Sequence, residues 1–417
     1  MGVPATALEG VVTAAAPACR FCSAPLRHSF ANLGATPLAN SYLDDPQASE
    51  RLFPLHAFVC AECLLVQLPA VASPEEIFSD YAYFASYSSS WVEHARRYVE
   101  SAVDRFGLDS SSRVVELASN DGYLLQFLVE RGIPALGVEP ASNVARAAAE
   151  RGIPTVVRFF GRDVAEELRA DGAADLVIAN NVLAHVPDLN DFVGGIAVLL
   201  APDGTATLEF PHLLRLIEAT EFDTIYHEHF SYFSLGTVER VFAAHGLEIF
   251  DVDELPTHGG SLRIYVRHRN GEPEDSVEDL RRRELDAGLA DLATYERFEE
   301  RVRESKRSLL EFLIAAKRNG GSIAGYGAAA KGNTLLNYCG VGTDFVDYVA
   351  DRSPHKQGRF LPGTRIPIVA PERIDETRPD YVLVLPWNLV DEIEEQLAHV
   401  RGWGCRFVTP IPTVAVR

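Results

Sequence analysis

The sequence predicts an α/β protein in which a small cysteine-rich domain precedes two parallel-sheet domains. Three observations predict it. Two C-x-x-C pairs stand near the start, Cys19/Cys22 and Cys60/Cys63. From residue 113 to about 267, apolar runs of strand length alternate with helical patterns. After a charged stretch the same alternation begins again at residue 322. Such alternation builds mainly parallel, doubly wound sheets. At ~100–200 residues per domain the 417 residues hold about two to four. The boundaries are expected at 1–75, 76–272 and 273–417.

Element by element, residues 55–59 read as a short β piece in the cysteine-rich domain. An aromatic and serine-rich stretch, 80–91, leads into a helix ending near residue 103. Strands follow at 113–117, 135–139, 175–179 and 205–210, the last starting at the turn Pro202-Asp203-Gly204. Helices are expected at 124–130 and 142–150, and closing strands at 249–252 and 262–267. Residues 274–319 carry 12 acidic and 10 basic residues, with Leu289, Leu292, Phe298, Val302, Leu309 and Phe312 at near-helical spacing. A bridging amphipathic helix or helix pair fits this pattern. A coiled-coil dimer is the alternative, with irregular heptads. The last domain has strands at 322–325, 345–350, 381–385 and 406–408.

Composition narrows the function classes. The formal net charge is −21, so a non-specific nucleic-acid binder or a protein docked on anionic membranes is not expected. No apolar run approaches the ~18 residues of a membrane span. The Ala-rich start lacks a positive charge and is interrupted by Glu9, so it reads as a disordered tail rather than a secretory signal. A cytoplasmic, monomeric protein is expected.

In a reducing compartment paired C-x-x-C motifs bind metal more often than they form disulfides. Cys19, Cys22, Cys60 and Cys63 supply the four soft ligands of a structural zinc, closed to catalysis. Four buried free thiols or a redox pair are the alternatives, and His28 and His56 are spare donors.

Glu116-Leu-Ala-Ser-Asn-Asp-Gly-Tyr-Leu124 lies between a strand and a helix. It differs from the dinucleotide fingerprint G-x-G-x-x-G, but its small residues let a ligand approach the backbone. It resembles motif I of S-adenosylmethionine-dependent methyltransferases, with Ala118 where many such enzymes have Gly. The resemblance implies that Glu116, Ala118, Ser119, Asn120, Gly122 and Tyr123 line the cofactor. Glu139, ending the next strand, suits a carboxylate for ribose hydroxyls. Asn180 and Asn181 end the following strand. Acidic pockets suit a sulfonium cation, whereas phosphates prefer helix N-termini and basic groups. Solvated acidic strand ends are the plain alternative.

Gly325-Tyr-Gly-Ala-Ala-Ala-Lys-Gly-Asn-Thr334 opens a helix after a strand, where backbone N–H groups and Lys331 can meet phosphate. Add the cysteine pairs, Tyr226-His-Glu-His229 with Phe230-Ser-Tyr-Phe-Ser, and His258-Gly-Gly-Ser-Leu-Arg. In this order, from Cys19 onward, the chain resembles the three-domain sugar C-methyltransferases that methylate dTDP-linked 4-keto deoxysugars for antibiotic sugars. The resemblance implies a zinc-binding first domain and a Rossmann-like class I methyltransferase domain. It also implies a Rossmann-like C-terminal domain holding the nucleotide-sugar.

The resemblance carries a catalytic group over to Tyr226, Glu228 and His229. A ketone acidifies the neighbouring C–H, a base removes the proton, and the enolate carbon takes the methyl group. His229 is the expected base because imidazole titrates near working pH, with Tyr226 or Glu228 orienting it or stabilising the oxyanion. His227 is as readily a core hydrogen-bonder, and His-x-His as a metal pair lacks further ligands. Methylation at C-3 is expected because most resembling enzymes act there. C-5 also flanks the ketone, and an O- or N-methyltransferase of a small metabolite needs no ketone. Tyr81 and Tyr83 could cover the sugar or simply pack. His185 and His258 are further substrate candidates, and Tyr326, Lys331, Asn333, Asp351 and Lys356 are candidates for the nucleotide.

Overall fold

A computed structural model describes residues 17–71 and 84–417. Tyr81 and Tyr83 lie outside the described residues. The first sheet begins with β1 (His28–Thr36), β2 (Phe53–Val59) and β3 (Val66–Gln67). In β2 the alternate residues Leu55, Ala57 and Val59 are buried, the period expected of a strand covered on one face. Each cysteine pair sits in a tight turn that needs one left-handed residue, Ser23 (φ 62°) or Leu64 (φ 62°).

The second sheet contains β4 (Val114–Leu117), β5 (Ala135–Val138), β6 (Thr155–Val156), β7 (Ala174–Asn180) and β8 (Leu200–Pro211). After β9 (Ser231–Tyr232) it is completed by β10 (Leu247–Leu255) and β11 (Ser261–His268). Its order is β10-β11-β8-β7-β4-β5-β6. The strands from β8 to β6 pair in parallel, and β8, β11 and β10 pair antiparallel. β8 starts earlier than the Pro202-Asp203-Gly204 turn suggested. Leu200 pairs with Ala174 and Thr205 with Leu176, so residues 201–204 bulge from the ladder. β9 belongs to the other sheet: Val66 pairs with Tyr232 and Gln67 with Ser231, making β9 the fourth strand beside β3.

The third sheet comprises β12 (Ile323–Tyr326), β13 (Val349–Ala350), β14 (Ile368–Val369), β15 (Tyr381–Val384), β16 (Arg406–Thr409) and β17 (Ala415–Val416). The order is β14-β13-β12-β15-β16-β17, parallel except for β16/β17.

The charged stretch forms three helices, Asp275–Asp286, Leu292–Glu296 and Phe298–Arg318. The first ends at the left-handed Gly288 (φ 81°) and the second starts on the Asp291 cap. The apolar face of the long helix is buried within the chain, where Phe298 stacks on Phe30 of β1 with ring centroids 4.4 Å apart. One hydrophobic cluster therefore joins Phe30, Leu213, Phe298 and Leu335, residues of all three sequence segments. Among the described residues no helix is long and apolar enough to cross a membrane.

Candidate active site

The four cysteine Sγ atoms all lie within 4.8 Å of one another. Cys19 and Cys63 are 3.6 Å apart, and Cys22 and Cys60 3.5 Å. Thiolates ~2.3 Å from a tetrahedral ion are separated by about this much. The donor set fits zinc, and the chain's structural zinc is held here. Gln67 Nε2 donates to Cys19 Sγ at 3.1 Å, while its Oε1 accepts from the backbone of Arg20 at 2.9 Å. That bond orients one ligand from the strand that pairs with β9.

The residues expected to line the methyl donor lie at the C-terminal ends of β4, β5 and β7, where parallel sheets bind ligands. Ala118 (φ 52°), Asn120 (φ 51°) and Gly122 (φ 77°) are all left-handed, so the turn after β4 is tight and strained. A Cβ on Gly122 would collide with the Ile153 side chain. Glu139 accepts from the Asn120 N–H at 2.9 Å and the Ala141 N–H at 2.8 Å. Burial raises its pKa, and those two N–H groups oppose the rise. Glu116 is pushed well above the carboxylate range by burial and then by Glu139 and Asp121. Glu116 Oε2, Ser119 Oγ, Asp121 Oδ1, Asn180 Oδ1 and Asn181 Nδ2 are buried without a hydrogen-bond partner among the described residues. Such orphaned groups await a polar ligand, and S-adenosylmethionine fits with its amino group, ribose hydroxyls and positive charge. Tyr123 lies 6.4 Å, ring to ring, from Trp91.

Tyr226, His227, Glu228 and His229 form the turn just before β9. His229 Nδ1 donates to the carbonyl of Thr224 at 2.8 Å. Its Nε2 therefore carries the lone pair and accepts from Tyr226 Oη at 2.7 Å. Burial, followed by the neighbouring His185, holds His229 well below the usual imidazole range, so it is a neutral ring. His185 lies edge-on to it, with ring centroids 4.7 Å apart, and donates to the Glu228 carbonyl at 2.8 Å. Burial brings His185 down to about 4. Glu228 receives a bond from Asn40 Nδ2 at 2.7 Å, and burial raises it to about 7. His227 turns away, bonding the Pro54 carbonyl at 3.2 Å and packing on Phe53, the core role left open for it.

The opposite wall comes from the third domain. Lys331 is half-buried, with Nζ 3.2 Å from the carbonyl of His258 and 4.9 Å above the Trp387 ring. Burial lowers its pKa, while Asp223 and Glu221 oppose the change. Glu221 is raised to about 7 and Asp223 to about 6, both by burial. Burial, then Lys331, brings His258 down to about 4. His258 lies 5.3 Å, ring to ring, from Trp91. Trp91 is thus bracketed by the cofactor loop and the Lys331 cluster. Behind His258, the buried Glu209 takes bonds from His94 (2.9 Å), Arg263 (2.7 Å) and Thr257 (3.0 Å).

The remaining nucleotide candidates mostly brace the second loop. Asp351 accepts from the N–H of Ala328 and of Ser353, each at 2.8 Å. Lys356 donates to the Ala328 carbonyl at 2.8 Å, and Asn333 accepts from the Asn337 amide at 3.2 Å. Tyr326 ends β12 and is buried. Sequence reasoning missed Asn40, Glu221, Asp223 and Glu209. Carboxylates inside apolar runs such as Leu216–Ile225 were a readable signal for two of them. Asn40 sits in a loop with no local pattern.

Comparison with known proteins finds the following similarities. Residues 256–412 match the family described as "C-methyltransferase C-terminal domain", residues 19–78 match "Putative zinc binding domain", and residues 91–252 match "Methyltransferase domain". The C-methyltransferase NovU of Streptomyces niveus is 39% identical over 402 residues, covering 94% of this chain and 95% of that protein. Trans-aconitate 2-methyltransferase of Variovorax paradoxus is 30% identical over 121 residues, 29% of this chain and 47% of that one. An S-adenosylmethionine-dependent methyltransferase structure from Clostridium acetobutylicum aligns with a TM-score of 0.35 at 11% identity, over 42% of this chain and 91% of that one.

Proposed function

Since the chain belongs to the family of S-adenosylmethionine-dependent C-methyltransferases, we propose that it methylates C-3 of a dTDP-linked 4-keto deoxysugar, a step toward an antibiotic sugar. One observation carries the reading: a buried neutral imidazole whose Nδ1–H is fixed by Thr224 and whose Nε2 lone pair faces Tyr226. The geometry leaves Nε2 as the proton acceptor, while burial holds the ring below the usual imidazole range and weakens it as a base in the ligand-free protein. Its basicity in turnover therefore comes from the negative charge developing on the enolate beside it.

The bound cofactor supplies an electrophilic methyl group. The Tyr226 hydroxyl occupies the Nε2 lone pair in the ligand-free protein, so Tyr226 gives up this bond when the substrate C–H takes its place. His229 takes the proton, and the Thr224 carbonyl steadies the imidazolium that forms. Glu228, raised to about 7, is part-protonated near neutrality, and its acid form can donate a hydrogen bond to the enolate oxygen. Lys331 and Trp387 hold the far side of the substrate, so both reactants meet in a cleft closed by three segments.

The test is incubation with S-adenosylmethionine and a panel of dTDP-4-keto sugars, read by mass and NMR. The expected product gains one methyl carbon at C-3. Substrate deuterated beside the ketone should lose its label to solvent even without the methyl donor. A methyl group on oxygen or nitrogen, with the label retained, would overturn the enolate route. Methylation at C-5 would keep the route and move the position.

A further inference from the structure

Glu228 is held from outside its own domain. Asn40 belongs to the zinc-bearing segment, and its amide reaches Glu228 across 188 residues of sequence. The loop carrying Asn40 is seated on the third domain. Tyr42 Oη donates to the carbonyl of Ala328 at 2.7 Å and stands 3.4 Å from Asn40 Oδ1. Leu43 and Phe360 exchange both backbone hydrogen bonds, at 3.0 and 2.8 Å. Asp44 pairs with Arg359 at 3.0 Å, and Glu50 Oε1 accepts from the N–H of Gly363 at 2.9 Å.

We propose that Asn40 is a positioning residue for Glu228, fixing its carboxyl in the cleft from a loop whose own seat is the substrate-binding domain. The zinc domain then contributes to catalysis without touching the reacting atoms. The proposal rests on the role given to Glu228 in the reading above.

Geometry and chemistry agree on this. A buried carboxyl with one amide donor has one preferred rotamer. The Asn40 donor bonds more strongly to the carboxylate than to the acid, so it opposes the upward push of burial. The other titratable groups facing Glu228 are the Tyr42 phenol, His185 on its carbonyl, and its chain neighbours His227 and His229. A carboxyl raised in the folded state contributes stability below its unfolded pKa and loses it as pH rises through the folded value. Removing the donor deepens that loss.

The experiment has a substrate-free arm and a kinetic arm. Thermal midpoints of the zinc-loaded protein are measured at pH 5.5 and 8 for wild type, Asn40→Ala, Asn40→Asp, Glu228→Gln and the double variant Asn40→Ala/Glu228→Gln. The Asn40→Ala loss should be larger at pH 8 than at 5.5, and this difference should vanish when Asn40→Ala is made on top of Glu228→Gln. In methyl transfer, Asn40→Ala should lower kcat about tenfold with KM within about twofold, as for loss of one buried hydrogen bond. Asn40→Asp keeps the shape without the donor and should be at least as impaired. An equal loss at both pH values, or Asn40→Asp behaving as wild type, overturns the proposal. If the pH-dependent coupling holds but Glu228→Gln turns over normally, the role of Glu228 fails and the positioning contact stands.

Discussion

Two loops occupy the same place in two parallel sheets, yet they are built for different work. The loop after β4 holds three left-handed residues and leaves Glu116, Ser119 and Asp121 with unpartnered buried atoms among the described residues. In the loop after β12 the left-handed residue is Gly327 (φ 87°), where a Cβ would fall 2.5 Å from Pro386. Its polar neighbours are already engaged: Asp351 and Lys356 bond Ala328, and Lys331 bonds the His258 carbonyl. Shared topology therefore does not set the ligand; the unsatisfied side chains do. The first loop keeps buried polar atoms open to a ligand, while the second has its polar neighbours bonded to residues of its own and the middle domain.

The sharpest way to break this contrast is at the point between the loops. His229→Asn should abolish turnover, by ~10²–10⁴-fold for a general base, while both ligands still bind in calorimetry. Near-normal turnover would place the base elsewhere. Next, Glu139→Ala should weaken S-adenosylmethionine by ~10–100-fold, the scale of a hydrogen bond to a charged group, and leave sugar-nucleotide affinity alone. Equal losses for both ligands would merge the two sites into one. A smaller effect, about tenfold by the same scale, is expected for Lys331→Met on the KM for the sugar nucleotide, with cofactor affinity unchanged. The smallest effect concerns pH. Glu116 and Glu139 are raised, and Asp223, Glu221 and Glu228 reach about 6, 7 and 7. Above pH ~6.5 the depressed His229, His185 and His258 are neutral in both states, so the ligand-free protein should lose stability from there to pH 8; below it those histidines oppose the carboxyls. The thermal gain from S-adenosylmethionine should grow over the same interval, since a cation favours ionised carboxylates. A gain that shrinks with pH would contradict the acidic-pocket reading.

Sequence legibility followed signal strength. The helix expected at 142–150 is Ser142–Glu150, and the strand expected at 381–385 is Tyr381–Val384. Both have a clear period and punctuation. The two-residue strands β6, β9 and β14 have no period to read. The helix or helix pair expected over 274–319 became three helices, the first ending where Gly288 supplies a left-handed stop inside an otherwise helical pattern. At the site, Tyr226, His229 and His185, singled out from separate motifs, lie side by side in the fold. The tautomer of His229 depends on Thr224, a carbonyl that carries no side-chain signature. Lys331 reads as a phosphate ligand from its loop, and only the packing reveals Asp223 and Glu221 facing it.

The pairing of β3 with β9 bears on how the chain is made. Residues 28–67 emerge from the ribosome early, but the fourth strand of their sheet arrives only with Ser231 and Tyr232. Until then the edge of β3 is open and the zinc knuckles guard an incomplete fold. Non-local pairing of this kind is slow and exposes sticky edges. The sheet begun at residue 28 is closed only by β9, whose first residue lies two positions after His229.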